Sequence, residues 1–408
     1  MTTTACSKAI PRPWLVGSHF DRISHLLPPA SSDNLGPGGK SLCRDSVLVN
    51  ARHAARWFGP PDVLGICPGV ITAPRLLEPS LPVARGPLSA VVLRTLSERP
   101  AGRHLTPIDA SAGESDPYGL DLQLALYVCY ELHYRGFAGV DPRWEWNPGL
   151  LHLRAQLEEM FLDAVRSDVG DIGADTRATT EMDTLSLEPV DGAGPSYYLR
   201  DEGTWDEMRE YFVHRSLYHL KEADPHAWVI PRLTGQAQAS FVAIEFDEYG
   251  GGHGERIHQQ LYADLLDAAG LDSTYLGYID SVPAESLASV NLMSLFGLHR
   301  GFRGATIGHF AATEITSSPG SRRLAEALER MDAPEPCINF YREHVEADAV
   351  HEQVVRADVV CDLVAREPNL EGDVVFGIRA YEVVEERLAA HLMDRWSAGR
   401  RSLRHSVG

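Results

Sequence analysis

The chain is poor in the features that mark many other kinds of protein. No apolar run approaches the roughly 20 residues a membrane-spanning helix needs. The mean hydropathy of −0.18 also argues against a membrane protein. The six cysteines are dispersed, with no C-x-x-C pair and no disulfide-framework spacing. Reduced thiols in a cytoplasmic protein are therefore the expectation. The opening MTTTACSKAIPRPW has no charged segment leading into an apolar one, so no signal peptide is expected. Cations are scarce as well: 37 Lys and Arg stand against 57 Asp and Glu, a formal charge of −20. So acidic a surface repels phosphate backbones and anionic lipid, which argues against nucleic acid and membrane as partners.

What is present divides the 408 residues unevenly. Residues 1–112 are rich in Pro and Gly and hold no sustained helical period, so irregular structure is expected there, with short helices near 46–58 and 87–98. The GPGGKS within it resembles the end of a phosphate-binding loop. That motif requires glycine where Asn34 stands, and no β-rich run precedes it. Residues 113–168 carry two strongly periodic segments, the second opening at Pro148, and read as an accessory helical region that offers a surface for a homodimer. Residues 169–196 are polar and Gly-rich, a linker. From 197 to 400 helix follows helix with no credible strand, beginning with Thr204 and Glu207 in capping-box spacing. The fold class is all-α, a helical bundle.

The chemistry concentrates in FYREHVEADAVHE, residues 340–352. At about 100° per residue, His344, Asp348 and His351 point to roughly 0°, 40° and −20° on the helical wheel. Ala347, Val355, Val359 and the ring of Tyr341 share that sector, so the three polar groups lie on the buried stripe. Asp358 falls there too, at roughly −40°, and fits no role. Burying ionisable groups without partners costs on the order of several kcal/mol. A metal ion would satisfy all three, and so would a hydrogen-bonded His–Asp–His core network.

Further ligands are at hand. Glu314 follows the small apolar run GHFAAT; pairing with Arg300 or Arg303 is its competing role. Glu248 precedes a Gly triplet that must break its helix, and His258 opens the next one. Together these make three carboxylates and three imidazoles, a set that nearly neutralises two ferrous ions and matches the ligand mix iron uses for oxygen chemistry. Glu222 would complete the neutralisation; a surface pairing with His226 is its alternative. Met293, Leu295, Phe296 and Phe310 are candidates for the wall of a pocket, although a stripe at that spacing also suits plain core.

This arrangement resembles the heme-oxygenase-like diiron oxidases and oxygenases, the iron-containing redox enzymes. The likeness rests on Glu248 and His258 in DEYGGGHGERIH, Glu314 in AATE, and the His-x3-Asp-x2-His of His344, Asp348 and His351, and it spans roughly residues 205–400. Glu222 matches an additional upstream Glu found in some members. The resemblance implies a seven-helix fold like that of heme oxygenase, preceded here by a helical extension. It implies two Fe(2+) per chain, and an O2-dependent oxidase or oxygenase acting on a small organic molecule such as an amine or amino-acid-like metabolite. N-oxygenation, oxidative C–C cleavage and desaturation all fall within it, and an external electron donor is a further partner it admits. The ferritin-like Glu-x-x-His pair is absent, because Glu343 stands directly beside His344. Three rivals compete: a heme protein with His219 or His226 as axial ligand, an iron-binding or structural bundle without turnover, and a hydrolase using Cys337 or Cys361 as nucleophile.

Overall fold

A computed structural model of the chain describes residues 78–100, 115–189 and 192–406. The helix expected near 46–58 and the GPGGKS segment lie outside the described residues. Helix α1 (Pro87–Leu96) answers the helix expected near 87–98, and no strand occurs among the described residues. The architecture is the all-α, heme-oxygenase-like one.

Two further helices precede the 170s. In α2 (Leu120–Glu131) every residue from Leu122 to Glu131 is buried, so the helix presents no free face to a second copy of the chain. In α3 (Pro148–Val169), Pro148 occupies the first turn and the Asn147 side chain accepts from the Gly149 and Leu150 amides. Within the polar stretch 169–196, a short helix α4 (Ala178–Leu185) forms instead of a continuous loop. Ala178 and Met182, four residues apart, bury against the core, while Glu181 pairs with Arg379. After α5 (Pro195–Asp201) comes α6 (Trp205–His219), whose Thr204–Glu207 capping box is fully formed.

A single turn, α7 (Asp224–Ala227), leads to α8 (Gly235–Glu248). Gly250, Gly251 and Gly252 then take φ of 73°, 61° and 87°, the left-handed region open to glycine, and swing the chain into α9 (His258–Ala268). A side chain at Gly250 would press on the backbone of Arg256 and Ile257. Two helices follow, α10 (Ala284–Leu298) and α11 (Arg303–Arg330), separated at His299 by extended backbone and one 3-10 turn containing Gly301. α12 (Glu335–Val354) runs through a π-helical turn, Val355–Val360, into α13 (Cys361–Arg366), and α14 (Glu371–Ser397) closes the bundle. A π turn advances less per residue than an α turn, so Asp358 rotates off the buried stripe and is exposed, while Val355 and Val359 stay inside.

α11 packs most extensively on α12 and α14. Its contact with α14 is backbone to backbone: a Cβ at Gly308 would collide with the Val374 carbonyl, and one at Gly377 with that of Ala305. One apolar cluster joins α2, α3, α6, α9 and α10; a second joins α4, α8, α11, the π turn and α14. The ligand candidates sit on the helices that border both.

Candidate metal centre

Local structure brings the polar residues inward. The Gly turn sets Glu248, last residue of α8, against His258, first residue of α9, with His258 Nδ1 2.7 Å from Glu248 Oε2. Glu314 comes from the middle of α11, and α12 delivers His344, Asp348 and His351 one turn after another. Glu222 enters from the tight turn between α6 and α7, where it is buried and not paired at the surface with His226. All seven candidates are buried.

They form two groups. Glu222, His258 and His344 present ligand atoms within 4.8 Å of one another, and so do Glu248, Glu314, Asp348 and His351. Glu248 spans the two, since its Oε2 faces His258 while its Oε1 stands 3.3 Å from His351 Nδ1. His351 Nδ1 also faces Glu314 at 3.3 Å and Asp348 at 3.6 Å, and His344 Nε2 faces Glu222 at 3.6 Å. The far nitrogens are held. His344 Nδ1–H donates to the Phe340 carbonyl at 2.7 Å, and His351 Nε2 stands 3.4 Å from Asp247 Oδ2. Fixing one imidazole nitrogen in this way leaves the other as a directed lone pair.

Two observations favour a metal site over a core hydrogen-bond network. Facing atoms lie 2.7–3.6 Å apart. Yet His258 Nδ1, His344 Nε2, His351 Nδ1, Glu222 Oε2 and Glu314 Oε2 are buried with no aligned hydrogen bond. A network would aim these groups at one another, because an unmade buried hydrogen bond is costly. Lone pairs aimed at common points are what an ion fills. The donor set of carboxylate and imidazole suits iron.

Without a metal, protons balance the carboxylates. Burial lowers the His344 pKa, but Glu222, Asp348 and Glu248 outweigh it and hold it at about 10. His351 is likewise driven up, against its burial, by Asp247, Asp348, Glu248 and Glu314. Burial, with Asp348 and Glu248 nearby, pushes Glu314 up to about 7 despite His351. Glu222 and Glu248 are held down by the imidazoles they face, which overcome burial.

The surrounding wall differs from expectation in part. The space enclosed by the ligands is about 20 Å³, bounded also by Tyr218, His226, Phe310 and Thr313. It holds about one water-sized molecule. Of the four apolar candidates only Phe310 reaches it; Met293, Leu295 and Phe296 are buried along α10 as ordinary core. A wider pocket of about 480 Å³ is lined by Tyr134, Arg135, Asp224, Trp228 and Tyr249. Residues 222, 223 and 226 line the inner space and 224, 227 and 228 the outer, so this short segment divides them.

Several contributors escaped the sequence reading. His219 Nδ1 lies 3.0 Å from Glu222 Oε2, and Asp247 backs His351. His219 precedes Glu222 by three residues, a spacing that could have flagged it; nothing local marks Asp247. Arg303 pairs with Glu367 and not with Glu314. Of the heme rival's two axial candidates, His219 Nδ1 faces Glu222 Oε2 at 3.0 Å and His226 Nε2 lies 3.2 Å from His309 Nδ1. Cys337 donates to the Leu265 carbonyl, and burial pushes its thiol up to about 11, which disfavours the thiolate a nucleophile needs.

Residues 209–384, which contain all seven candidates, match the family described as iron-containing redox enzymes. The match agrees with the resemblance seen in the ligand motifs. The chain is also similar to the nitrosourea synthase of Streptomyces achromogenes subsp. streptozoticus, 26% identical over 239 residues, covering 57% of this chain and 51% of the relative. It thus spans about half the length of that curated relative. No helix among the described residues is long and apolar enough to cross a membrane.

Proposed function

We propose that this chain is an iron-containing redox enzyme that binds two ferrous ions and acts as an O2-dependent oxidase or oxygenase of a small organic molecule. Glu222, His258 and His344 would hold one ion. Glu314, Asp348 and His351 would hold the other, with Glu248 shared. The observation that carries this reading is Glu248 itself, whose two oxygens face one imidazole in each group. Four carboxylates then balance two divalent ions. Bound there, ferrous iron supplies the electrons that reduce O2 for oxidation of the substrate.

The chain's own residues do the rest. Phe340 and Asp247 orient the imidazoles, and the apolar helices exclude bulk water. His344, His351 and Glu314 hold protons that leave when metal enters. The reading assigns the chemistry to residues 197–400 and treats 113–168 as accessory. An amine or amino-acid-like substrate, processed by N-oxygenation or oxidative C–C cleavage, fits the family and the nitrosourea synthase relative. An external electron donor would restore the ferrous state.

The inner space of about 20 Å³ favours a second reading, an iron-binding bundle that turns over no organic substrate. O2 uptake by the ferrous-loaded enzyme, followed against a panel of amines and amino acids, separates the two. The proposal expects uptake that one class of compound accelerates, and that His344→Ala and Glu314→Ala abolish. Uptake indifferent to every compound supports the second reading.

A further inference from the structure

Helix α2 lies outside the matched residues 209–384, yet its end reaches the metal-centre segment. Glu131, the last residue of α2, is fully buried. Its carboxylate accepts from Lys221 Nζ at 2.9 Å, from the Tyr275 hydroxyl at 2.8 and 2.9 Å, and from the Arg135 amide at 3.3 Å. The Lys221 ammonium also lies over the rings of Tyr127 and Tyr134, at 4.4 and 4.5 Å. Lys221 immediately precedes Glu222.

Arg135 extends the connection. Its guanidinium donates to the Leu220 carbonyl at 3.2 Å and to Gln259 Oε1 at 2.5 Å. Gln259 Nε2 in turn donates to the Glu222 carbonyl at 2.9 Å and to Asp224 Oδ1 at 3.2 Å. Gln259 immediately follows His258. Between Glu222 and Asp224 stands Ala223 with φ of 72°, a left-handed conformation a non-glycine residue keeps only when its surroundings impose it. The network thus clamps both sides of that residue. It touches the neighbours of Glu222 and His258, while Glu314, Asp348 and His351 receive none of these bonds.

We infer that Glu131 and Arg135, acting through Lys221 and Gln259, are positioning residues for the Glu222–His258–His344 half of the centre. The end of α2 and the turn after it, outside the matched region, would then set the affinity of one metal and leave the other alone. The inference rests on the two-metal reading above. It assigns residues 113–168 a part in the chemistry that no motif in them announces.

The test is Co(II) titration of the metal-free full-length chain under anaerobic conditions, read by visible absorption and equilibrium dialysis. Gln259→Leu removes the clamp at a part-exposed position, and Glu131→Gln removes its anchor. Each is placed in two backgrounds: Glu314→Ala with Asp348→Ala, which keeps the first group, and Glu222→Ala with His344→Ala, which keeps the second. The expected result is a loss of about tenfold or more in affinity in the first background, the size typical of removing a ligand's support, and no change in the second. Equal weakening in both backgrounds, or none in the first, overturns the inference. Should Glu131→Gln fail to fold, Gln259→Leu decides alone, with circular dichroism as the fold control. Failure of the unsubstituted chain to bind Co(II) would overturn the two-metal reading as well. Two tight ions with no selective effect of Gln259→Leu would overturn only the inference.

Discussion

Lys221 and Glu222 are neighbours in the chain and belong to two different buried charged clusters. Around Lys221 the bonding is complete. Its ammonium meets the Glu131 carboxylate and two tyrosine faces, and that carboxylate accepts from Lys221, Tyr275 and a backbone amide. Around Glu222 it is not. Carboxylates and imidazoles crowd together, and Glu222 Oε2, His344 Nε2 and His258 Nδ1 all lack an aligned hydrogen bond. A second finished cluster shows the same contrast: Glu210 accepts from Trp396, from the Ser402 amide and from the Ser402 hydroxyl, with His214 bonded to Ser402 and Ser286. Buried charge with its bonding complete supports the fold. Buried charge whose lone pairs converge unpaired is where the proposal places a ligand. Burial alone does not separate the two, because these charged groups are buried in both clusters.

Substitutions can break that distinction. The largest expected effect is on the finished cluster: Lys221→Met leaves Glu131 without its counter-ion, at a cost of about 3–5 kcal/mol. Denaturant unfolding measures it, and adding Glu131→Gln should recover much of the loss. A cost below about 1 kcal/mol would mean the pair is not the internal support described here.

Next comes pH. His344, held at about 10, and His351, also raised, carry protons in the metal-free protein that an incoming ion must displace. Co(II) affinity should therefore climb between pH 6 and 8, by about tenfold per unit for each proton released. The metal-free bundle should move the other way. The Glu314 pKa is raised to about 7 and the His344 pKa to about 10, so each favours the folded state most below its unfolded pKa and loses that contribution as pH rises through its folded one. Thermal melts in chelator should therefore fall as pH goes from 5 to 10. Flat affinity together with flat melting would contradict the proton-balanced cluster.

Smaller effects sharpen the contrast. Asp247→Asn removes the charged partner of His351 Nε2 at an exposed position, and should weaken the second metal by about tenfold with the melting temperature unchanged. Smallest of all, Glu314→Gln in the metal-free protein should leave stability at pH 8 unchanged or slightly higher, since burial, with Asp348 and Glu248 nearby, disfavours the carboxylate despite His351. A clear destabilisation there would place Glu314 with the finished clusters.

How much of this the sequence disclosed follows from which features are local. The His344–Asp348–His351 face was legible because helical periodicity alone places it on the buried stripe. Glu248 and His258 were legible because a Gly triplet forces a turn between them. The division of the ligands into two groups was not, because it depends on which way each Glu248 oxygen points. Asp358 was misplaced on the wheel because a π turn, which no residue pattern here announced, shifts the phase. Met293, Leu295 and Phe296 were offered for the pocket because an apolar stripe at helical spacing looks the same whether it lines a cavity or fills plain core. The helix within 169–196 was missed because two apolar residues, Ala178 and Met182, are too few to show a period. The link from Glu131 to Glu222 joins residues about 90 positions apart in the chain, which only the folded bundle brings together.

The most direct measurement is the number of ferrous ions the full-length chain retains after anaerobic loading and dialysis. About two per chain are expected, falling to about one when Glu222→Ala and His344→Ala are combined, and to about one when Glu314→Ala and Asp348→Ala are combined. Retention of no iron, or of the same amount in all three proteins, would contradict the two-metal centre and return these seven side chains to the protein's own electrostatics.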